Sequence, residues 1–347
     1  MRLSSPHLPV QPTVPQVMRR VLLGLIPGIG VMTLFFGVGV LVNIAIAVLT
    51  ALLAESIMLK LRGRELGRFL TDWTAVVTAA LLAIGLPPLA PWWLPAIGAF
   101  FALVFGKHLY GGLGYNPFNP AMIGYVVLLI AFPTQMTLWP TPLGVGEGAP
   151  SVQAVLTAAF GGSLDSFGGI DALTGATPLD HVKTQLGLAM TVSEAQQGRM
   201  FGLFAGQGWE WLSLAFLAGG LYLLFTKTIR WQIPAGVLGG LALISGLFWL
   251  GDADRFASPL FHLTSGSAIV GAFFIATDPV TASTTPRGRL LFGAGIGILT
   301  WIIRTWGGYP DAIAFAVLLM NMAAPTIDEL TQPRVYGHKS GRKRRED

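Results

Sequence analysis

Cysteine is absent from this 347-residue sequence. Without thiols the chain forms no disulfide bond, holds no cysteine-ligated iron–sulfur cluster and carries out no thiolate chemistry. The five histidines are scattered, and no two of them have the spacing of metal ligands on one helix. We therefore predict no haem, zinc or other metal site. An electron carrier bound to this chain would have to be organic.

Charged residues are also few. Only 11% of the residues are charged, 53% are hydrophobic, and the mean hydropathy is +0.64. No charged residue lies between Arg20 and Glu55, and a helical segment of that length, at about 1.5 Å per residue, crosses the hydrocarbon of a bilayer about twice. The composition excludes a soluble globular protein and predicts an all-α polytopic membrane protein in a lipid bilayer.

About ten transmembrane helices are predicted, interrupted by proline and glycine. Two helices turn near Gly37 to Gly39, and eight more follow, at 73–90, 93–109, 119–138, 209–226, 234–250, 261–277, 290–306 and 310–326. An odd number of helices per half makes two five-helix halves inverted in topology. The expected domains are an N-terminal arm at 1–19, a first membrane half at 20–138, a long external loop at 139–208, a second half at 209–326 and a basic tail at 327–347.

The distribution of Lys and Arg predicts the orientation. If the N-terminus is cytoplasmic, 18 of the 22 Lys and Arg residues fall in cytoplasmic segments and only Lys183, Arg199, Arg255 and Arg304 lie outside, as the positive-inside rule requires. Both termini are then cytoplasmic, and the loop at 139–208 is external. The basic tail GRKRRED is interpreted as a solvated run that fixes the topology, and no nucleic-acid partner is predicted.

The external loop contains the sequence DALTGATPLD at 171–180. Gly175 and Ala176 carry little or no side chain, so the hydroxyl of Thr177 can be approached closely by a bulky modifying group. The same residue types are common in ordinary turns, and that interpretation stays open from these residues alone.

Two further segments break predicted helices on the cytoplasmic side, GKHLYGGLGYNPFNPAM at 106–122 and TDPVTAS at 277–283. Non-helical backbone near membrane depth is tolerated where it is buried in protein or lines a cavity. Cavity walls and simple helix corners are equally compatible with these two segments. No Asp or Glu is expected deep in a predicted helix, Glu55 coming closest, about one turn from Lys60.

Taken together, these segments resemble the RnfD/NqrB family, membrane subunits of the Rnf ion-translocating electron transport complex and, more distantly, of the sodium-pumping NADH:quinone oxidoreductase. The resemblance extends over nearly the whole length. It rests on the opening at 5–28, GGLGYNPFNPAM, DALTGATPLD and FFIATDPVTAS at 273–283. It implies a multi-pass protein of the bacterial inner membrane that works with the A, B, C, E and G subunits of the Rnf complex and is inactive alone.

In that family FMN is attached through its phosphate to the last threonine of the motif, which is Thr177 here, with Asp171, Thr174, Gly175 and Ala176 completing the pattern. The resemblance implies a flavin transferase that makes this bond. It also implies a relay of electrons between ferredoxin and NAD, coupled to Na+ or H+ translocation. Thr177 would be an anchor, and no catalytic side chain is predicted in the chain.

Further cofactor contacts are expected at two places. Lys183, like His181 or Arg199, could neutralise the linked phosphate from the same loop. Asn119, Thr277 and Asp278 could contact a second, non-covalent flavin, such as riboflavin, near the cytoplasmic helix breaks. The alternative function is a stand-alone transporter or channel with inverted repeats and no flavin, for which the TGAT motif would have no use.

Overall fold

The computed structural model describes residues 12–145, 149–309 and 311–333. The outer parts of the predicted arm and tail, 1–11 and 334–347, lie outside the described residues. The described chain is helical apart from one small antiparallel sheet and one isolated bridge. Helices therefore carry almost all of the architecture, in agreement with the predicted fold class.

The first membrane half begins with a capped helix. Thr13 and Gln16 form a capping box, and Pro15 occupies the first turn, so the backbone donors of that turn are satisfied or absent. The helix starts within the predicted arm and ends at Gly37, whose positive φ permits the turn. The helices of this half are α1 Val14–Phe36, α2 Gly39–Leu61, α3 Leu66–Leu70, α4 Thr74–Ala83, α5 Trp93–Phe101 with a π-helical continuation Ala102–His108, and α6 Pro120–Ala131.

The segment predicted as an external loop contains short structured elements. After α7 Pro133–Thr137, which still lies within the predicted span 119–138, these are β1 Trp139–Pro140, α8 Val152–Phe160, a 3-10 turn Asp165–Phe167, α9 Ile170–Leu173, β2 Thr174–Gly175, α10 Pro178–Gly187 and α11 Val192–Ala195. An apolar cluster joins this segment to the second membrane half, because Leu179 and Val182 of α10 pack with Ala257 and Phe261. The backbone N–H of Leu143 also donates to the carbonyl of Phe35 at the end of α1. The segment is thereby fixed against the helices.

The second membrane half contains one interrupted helix among long ones. Its helices are α12 Trp209–Phe225, α13 Gln232–Gly251, α14 Pro259–Thr264, α15 Ala268–Val270 with a π-helical continuation Gly271–Ile275, α16 Pro286–Trp306 and α17 Ile313–Thr331. Small residues bring α13 and α16 into close contact: a Cβ on Gly297 would lie 2.2 Å from the carbonyl oxygen of Val237, and one on Gly240 would lie 2.6 Å from that of Ala294. This is the packing mode that membrane helices favour.

The predicted spans are confirmed as helical segments, but not all as single long helices. Four described helices, α1, α2, α13 and α17, are long and apolar enough to cross a membrane, and shorter apolar helices cover four more of the predicted segments. The prediction of continuous helices at 73–90, 119–138 and 261–277 was wrong. The first ends at Ala83, before Pro87 and Pro88, and the last is broken at Gly266, which has φ +65°. In the middle one, α6 ends at Ala131 and the short helix α7 begins at Pro133. The total of ten spans and the inverted repeat stay predictions.

The two halves meet where α1 crosses α12. A Cβ on Gly219 would lie 1.8 Å from the carbonyl oxygen of Gly24, and one on Gly24 would lie 3.2 Å from that of Gly219. The two backbones therefore approach through a reciprocal glycine contact.

Substitution of Gly219 by alanine should weaken this crossing. The added methyl forces the helices apart, and overpacking of this kind costs about 1–3 kcal/mol. The matched control is Gly30→Ala in α1, since a Cβ at Gly30 meets nothing within 4 Å. Thermal unfolding in detergent should show a lower midpoint for Gly219→Ala and an unchanged or higher one for Gly30→Ala. Equal midpoints for the two variants would contradict the packing described.

Candidate functional site

Thr177 stands at the start of helix α10. Its backbone is extended, its Oγ1 accepts a hydrogen bond of 3.3 Å from the N–H of Asp180, and Pro178 opens the helix without an N–H to satisfy. Thr177 is thus the N-cap of a ten-residue helix. The partial positive charge of a helix N-terminus favours an anionic group bonded at this position.

The residues before Thr177 hold it on the small sheet. Thr174 and Gly175 form β2, which pairs with Pro140 and Trp139 of β1, and the hydroxyl of Thr174 donates to the carbonyl of Ile170 at 2.9 Å. A Cβ on Gly175 would lie 2.8 Å from the methyl group of Thr141, so the position favours glycine. The two other motif residues, Asp171 and Ala176, are exposed. The motif therefore forms a strand–turn–helix that presents the Thr177 side chain.

Thr177 lines a cavity of about 140 Å³ between α10 and the membrane helices. Trp139 and Trp209 lie on its wall with their rings 5.1 Å apart, and Phe36 packs edge-on against Trp209 at 4.7 Å. The remaining lining is mostly aliphatic, with a few polar groups: Tyr125, Asp180, Ser213, Ser267, Tyr309 and Asp311. We call this space the Thr177 cavity. Apolar walls with few polar groups are typical of ligand sites.

An ion pair supports one side of the Thr177 cavity. The guanidinium of Arg304 lies 3.1 Å from Oδ1 of Asp311, and Oδ2 of Asp311 accepts hydrogen bonds from the N–H and hydroxyl of Ser267 at 2.6 and 2.5 Å. Arg304 also donates to the carbonyls of His262 and Ser265 at the end of α14. The pair thus satisfies the backbone groups exposed by the helix break at Gly266.

Sequence reasoning missed this ion pair. It treated Arg304 as one of a few external cations, whereas its side chain is buried. The usable signals were an arginine inside a predicted span and a nearby Asp311, since intramembrane charges are usually paired. Arg304 and Asp311 are seven residues apart, on either side of the turn predicted between the last two spans. The carbonyls of His262 and Ser265 that Arg304 also binds lie beside a break in a segment predicted as continuous helix, so those contacts did not follow from spacing.

Lys183 is directed away from Thr177's hydroxyl and towards the connection between α16 and α17. Its ammonium donates to the carbonyls of Gly307 and Tyr309, the former at 2.5 Å. Burial lowers the pKa of the Lys183 ammonium, and the carboxylate of Asp180 partly offsets this. His181 packs against the ring of Phe201, and Arg199 is exposed. Lys183 therefore fixes α10 in place, and the prediction of phosphate neutralisation stays untested.

The two helix-breaking segments of the first and second halves meet at a second cavity, of about 340 Å³. Asn119, Thr277 and Asp278, predicted from separate segments, all line it, together with Thr74 and Lys107. We call this space the Asn119 cavity. Its position beside the first turns of α1 places it at the end of that helix opposite to the Thr177 cavity, where Phe36 meets Trp139.

The same polar residues also form helix corners. Asn119 caps α6 by accepting from the N–H of Met122, and its own N–H donates to the side chain of Asn321 at 3.0 Å. Asp278 accepts from the N–H of Val280 and the hydroxyl of Thr281. The two segments therefore serve both as helix corners and as walls of the Asn119 cavity.

Leu81 of α4 lines both cavities. On α6, Met122 borders the Thr177 cavity and its neighbour Ala121 borders the Asn119 cavity. Near the end of the interrupted helix, Ile275 borders the Thr177 cavity and its neighbour Phe274 borders the Asn119 cavity. The two spaces are thus separated by a thin apolar wall. Groups bound in them would be close neighbours across the protein.

A buried ionic cluster adjoins the Asn119 cavity and corrects one prediction. Glu55 is 1% exposed and lies deep in the protein; its partner is Lys107, with Nζ 2.5 Å from Oε1, and not the exposed Lys60. The Lys107 ammonium also donates to Thr74 at 2.8 Å, and His108 Nε2 lies 3.5 Å from the same carboxylate. The expectation that no acidic side chain lies deep in the helices was therefore wrong.

Comparison with known sequences agrees with this architecture. Residues 2–337 match the NQR2, RnfD, RnfE family. The chain is 53% identical to the D subunit of the ion-translocating oxidoreductase complex of Shewanella denitrificans, over 97% of this chain and 98% of that protein. It is 52% identical to the corresponding protein of Alcanivorax borkumensis and 51% identical to that of Escherichia fergusonii, each over 97% of this chain and at least 96% of the relative. The chain belongs to the NQR2, RnfD, RnfE family.

Proposed function

We propose that this chain is the D subunit of an ion-translocating oxidoreductase complex and carries FMN bound covalently to Thr177. The proposal rests on one observation above others: the Thr177 hydroxyl lies at a helix N-terminus and on the wall of an aromatic-lined cavity. The strong similarity to relatives named as the D subunit of such a complex supports it.

The residues of the Thr177 cavity fit a tethered flavin. A phosphoester on Oγ1 of Thr177 would lie at the positive end of α10. Trp139 and Trp209 offer ring faces and edges to a planar aromatic group, and the apolar wall around Leu212 and Phe216 excludes water. The bound flavin would supply reversible electron transfer, while this chain supplies the anchor, the orientation and the surrounding polarity.

Asp311 contributes a fixed charge to that polarity. Its carboxylate is held by Arg304 and Ser267 and lines the Thr177 cavity. Because the ion pair is buried among backbone groups, its geometry is set before any ligand binds. A flavin in the cavity would thus face an oriented polar group.

The Asn119 cavity is proposed to hold a second, non-covalent flavin, as riboflavin. It brings Asn119, Thr277 and Asp278 together around a space larger than the Thr177 cavity. The thin wall formed by Leu81 would let electrons pass between the two flavins. The chain would then relay electrons between a ferredoxin and NAD couple through the A, B, C, E and G subunits, with Na+ or H+ translocation.

The proposal also includes a maturation enzyme, a cellular membrane and an orientation in that membrane. A flavin transferase attaches FMN, and its substrate loop lies on the periplasmic side of a bacterial inner membrane, with both termini cytoplasmic. A stand-alone transporter or channel remains the competing function. That function gives no reason for Thr177 to line a cavity with aromatic walls.

The proposed function is tested by counting flavins. The protein should be purified from cells with and without a flavin transferase and precipitated with acid, which releases non-covalent flavin and retains covalent flavin. With the transferase, flavin should appear in both fractions; without it, only in the released fraction. A colourless protein from cells with an active transferase would favour the transporter.

The second flavin has its own test. Val17 of α1 lines the Asn119 cavity, so Val17→Trp should fill part of that space and remove most of the acid-released flavin while leaving covalent flavin unchanged. Leu23→Trp is the matched control, because Leu23 is exposed on the same helix. Released flavin that survives Val17→Trp at the wild-type amount would place the second flavin elsewhere.

A further inference from the structure

The cluster of Glu55, Lys107 and His108 is incompletely satisfied. Oε1 of Glu55 holds the Lys107 ammonium at 2.5 Å, but Oε2 of Glu55 and both ring nitrogens of His108 have no hydrogen-bond partner although they are buried. Buried polar atoms without partners are rare in folded proteins, and each calls for an explanation. Three such atoms in one cluster indicate a site at which a small ligand or a proton binds and leaves.

The local backbone places these side chains together. Lys107 and His108 are consecutive residues of the π-helical segment Ala102–His108, and both are buried. A π-helical turn widens the helix and changes the direction of its side chains, and such turns are frequent at functional sites. Here the turn directs the ammonium and the imidazole towards the single carboxylate of Glu55 on α2.

The charge of the cluster selects its ligand. With His108 neutral, the Glu55 carboxylate and the Lys107 ammonium cancel. A metal ion is disfavoured because the ammonium already occupies Oε1 of Glu55, and no group of three His, Cys, Asp or Glu ligands occurs among the described residues. A neutral imidazole has one ring nitrogen that can accept a proton. The chemistry of the cluster therefore fits a proton.

The cluster is also connected to the Asn119 cavity. Lys107 and Thr74 line that cavity, and the Lys107 ammonium donates to both Glu55 and Thr74. A negative charge arriving in the cavity would attract the ammonium and offset a second positive charge in the cluster. Because this region is buried, the two charges would be only weakly screened.

We propose that His108, with Glu55 and Lys107, is a proton-exchange site coupled to the redox state of the group in the Asn119 cavity. This inference rests on the proposed second flavin. An electron delivered to a flavin in the Asn119 cavity by a neighbouring carrier would add one negative charge there, and one proton from the aqueous phase would bind Nε2 of His108. On transfer of that electron to the next carrier, the proton would leave His108. Charge is balanced in both steps.

The other charged groups around the cluster do not replace His108 in this role. Arg62 donates to the backbone carbonyl of His108, and Arg19 of α1 lies over the ring of Trp73 at 5.5 Å. Asp72 accepts hydrogen bonds from the hydroxyl and N–H of Thr74, and Asp278 accepts from the N–H of Val280 and the hydroxyl of Thr281. Each of these four groups is thus engaged away from the imidazole nitrogens.

Redox-difference infrared spectroscopy on the complete complex tests the proposal. Histidine with a 15N-labelled ring identifies imidazole bands by their isotope shift. Reduction of the wild-type complex should produce an imidazolium band, and His108→Gln, which keeps the Glu55–Lys107 pair, should lose it. His262→Gln is the matched control, because His262 is a buried histidine outside this cluster. Uptake of protons on reduction, followed with a pH-indicator dye, should fall by one per chain only in His108→Gln.

The outcomes separate this inference from the function on which it rests. Acid-released flavin is measured on the same sample. Its absence would overturn both the second flavin and the proton site. Flavin present together with no imidazolium band on reduction, or with a band that persists in His108→Gln, would overturn the proton site alone. If the His108→Gln complex does not assemble, the wild-type complex alone decides the test. An isotope-shifted imidazolium band on reduction supports the proton site, and the absence of that band overturns it.

Discussion

Replacement of Thr177 by alanine should abolish all flavin fluorescence that survives denaturing electrophoresis. The phosphoester needs the Thr177 oxygen, and the neighbouring Thr174 hydroxyl donates to the carbonyl of Ile170 within the small sheet. The loss should therefore be complete rather than partial. Fluorescence of the chain in a denaturing gel, with the transferase present in the cells, is the measurement.

Three companion variants separate loss of the bond from loss of structure. Thr177→Ala also removes the N-cap of α10, which costs about 1 kcal/mol. Thr177→Asp keeps a capping oxygen but offers no hydroxyl, so it should fold like the wild type and remain dark. Thr177→Ser and Thr174→Ala should both retain fluorescence. Fluorescence in Thr177→Asp, or its loss in Thr174→Ala alone, would show that the anchor is another residue.

The second large effect is expected from Lys107→Met. It leaves the Glu55 carboxylate, 1% exposed, without its ammonium partner. Breaking a buried ion pair from one side costs about 3–5 kcal/mol, because an uncompensated charge remains. The yield of folded protein and the midpoint of thermal unfolding in detergent should both fall sharply.

A double variant and a surface control complete this test. Glu55→Leu with Lys107→Met removes both charges together and should recover most of the lost stability. Lys60→Met, at an exposed position of the same helix as Glu55, should change stability little. A Lys107→Met protein as stable as the Lys60→Met protein would mean that the Glu55 carboxylate is neutral or solvated.

The sequence predicts best those features that are local. The capped start of α6 at Asn119, the turn at Gly37 and the turn before Thr177 all depend on residues a few positions apart, and each has a recognisable residue pattern. The strand and helix on either side of the Thr177 turn were not predicted. The meeting of Asn119 with Asp278 was also predicted, because both were treated as cavity-lining breaks on one side of the membrane. The sequence thus indicated cavity-lining breaks around Asn119 and Asp278 as one of two interpretations, whereas the cavity beside Thr177 was not predicted.

Contacts that depend on helix interruption could not be predicted. Glu55 and Lys107 are 52 residues apart, and the π-helical turn that orients Lys107 has no periodic signature. Arg304 reaches the carbonyl of Ser265 because the chain unwinds at Gly266. In both cases the ionic side chains lie where a regular helix would have placed apolar ones, so hydrophobic periodicity gave no indication of their partners.

The central claim is that Thr177 carries the flavin, and peptide mass spectrometry tests it most directly. The chain should be isolated from cells with an active flavin transferase, digested, and the peptide spanning DALTGATPLD fragmented. The account predicts an added mass of FMN less one water, localised to Thr177. An unmodified peptide, or a flavin localised to Thr174 or to any other residue, would contradict it.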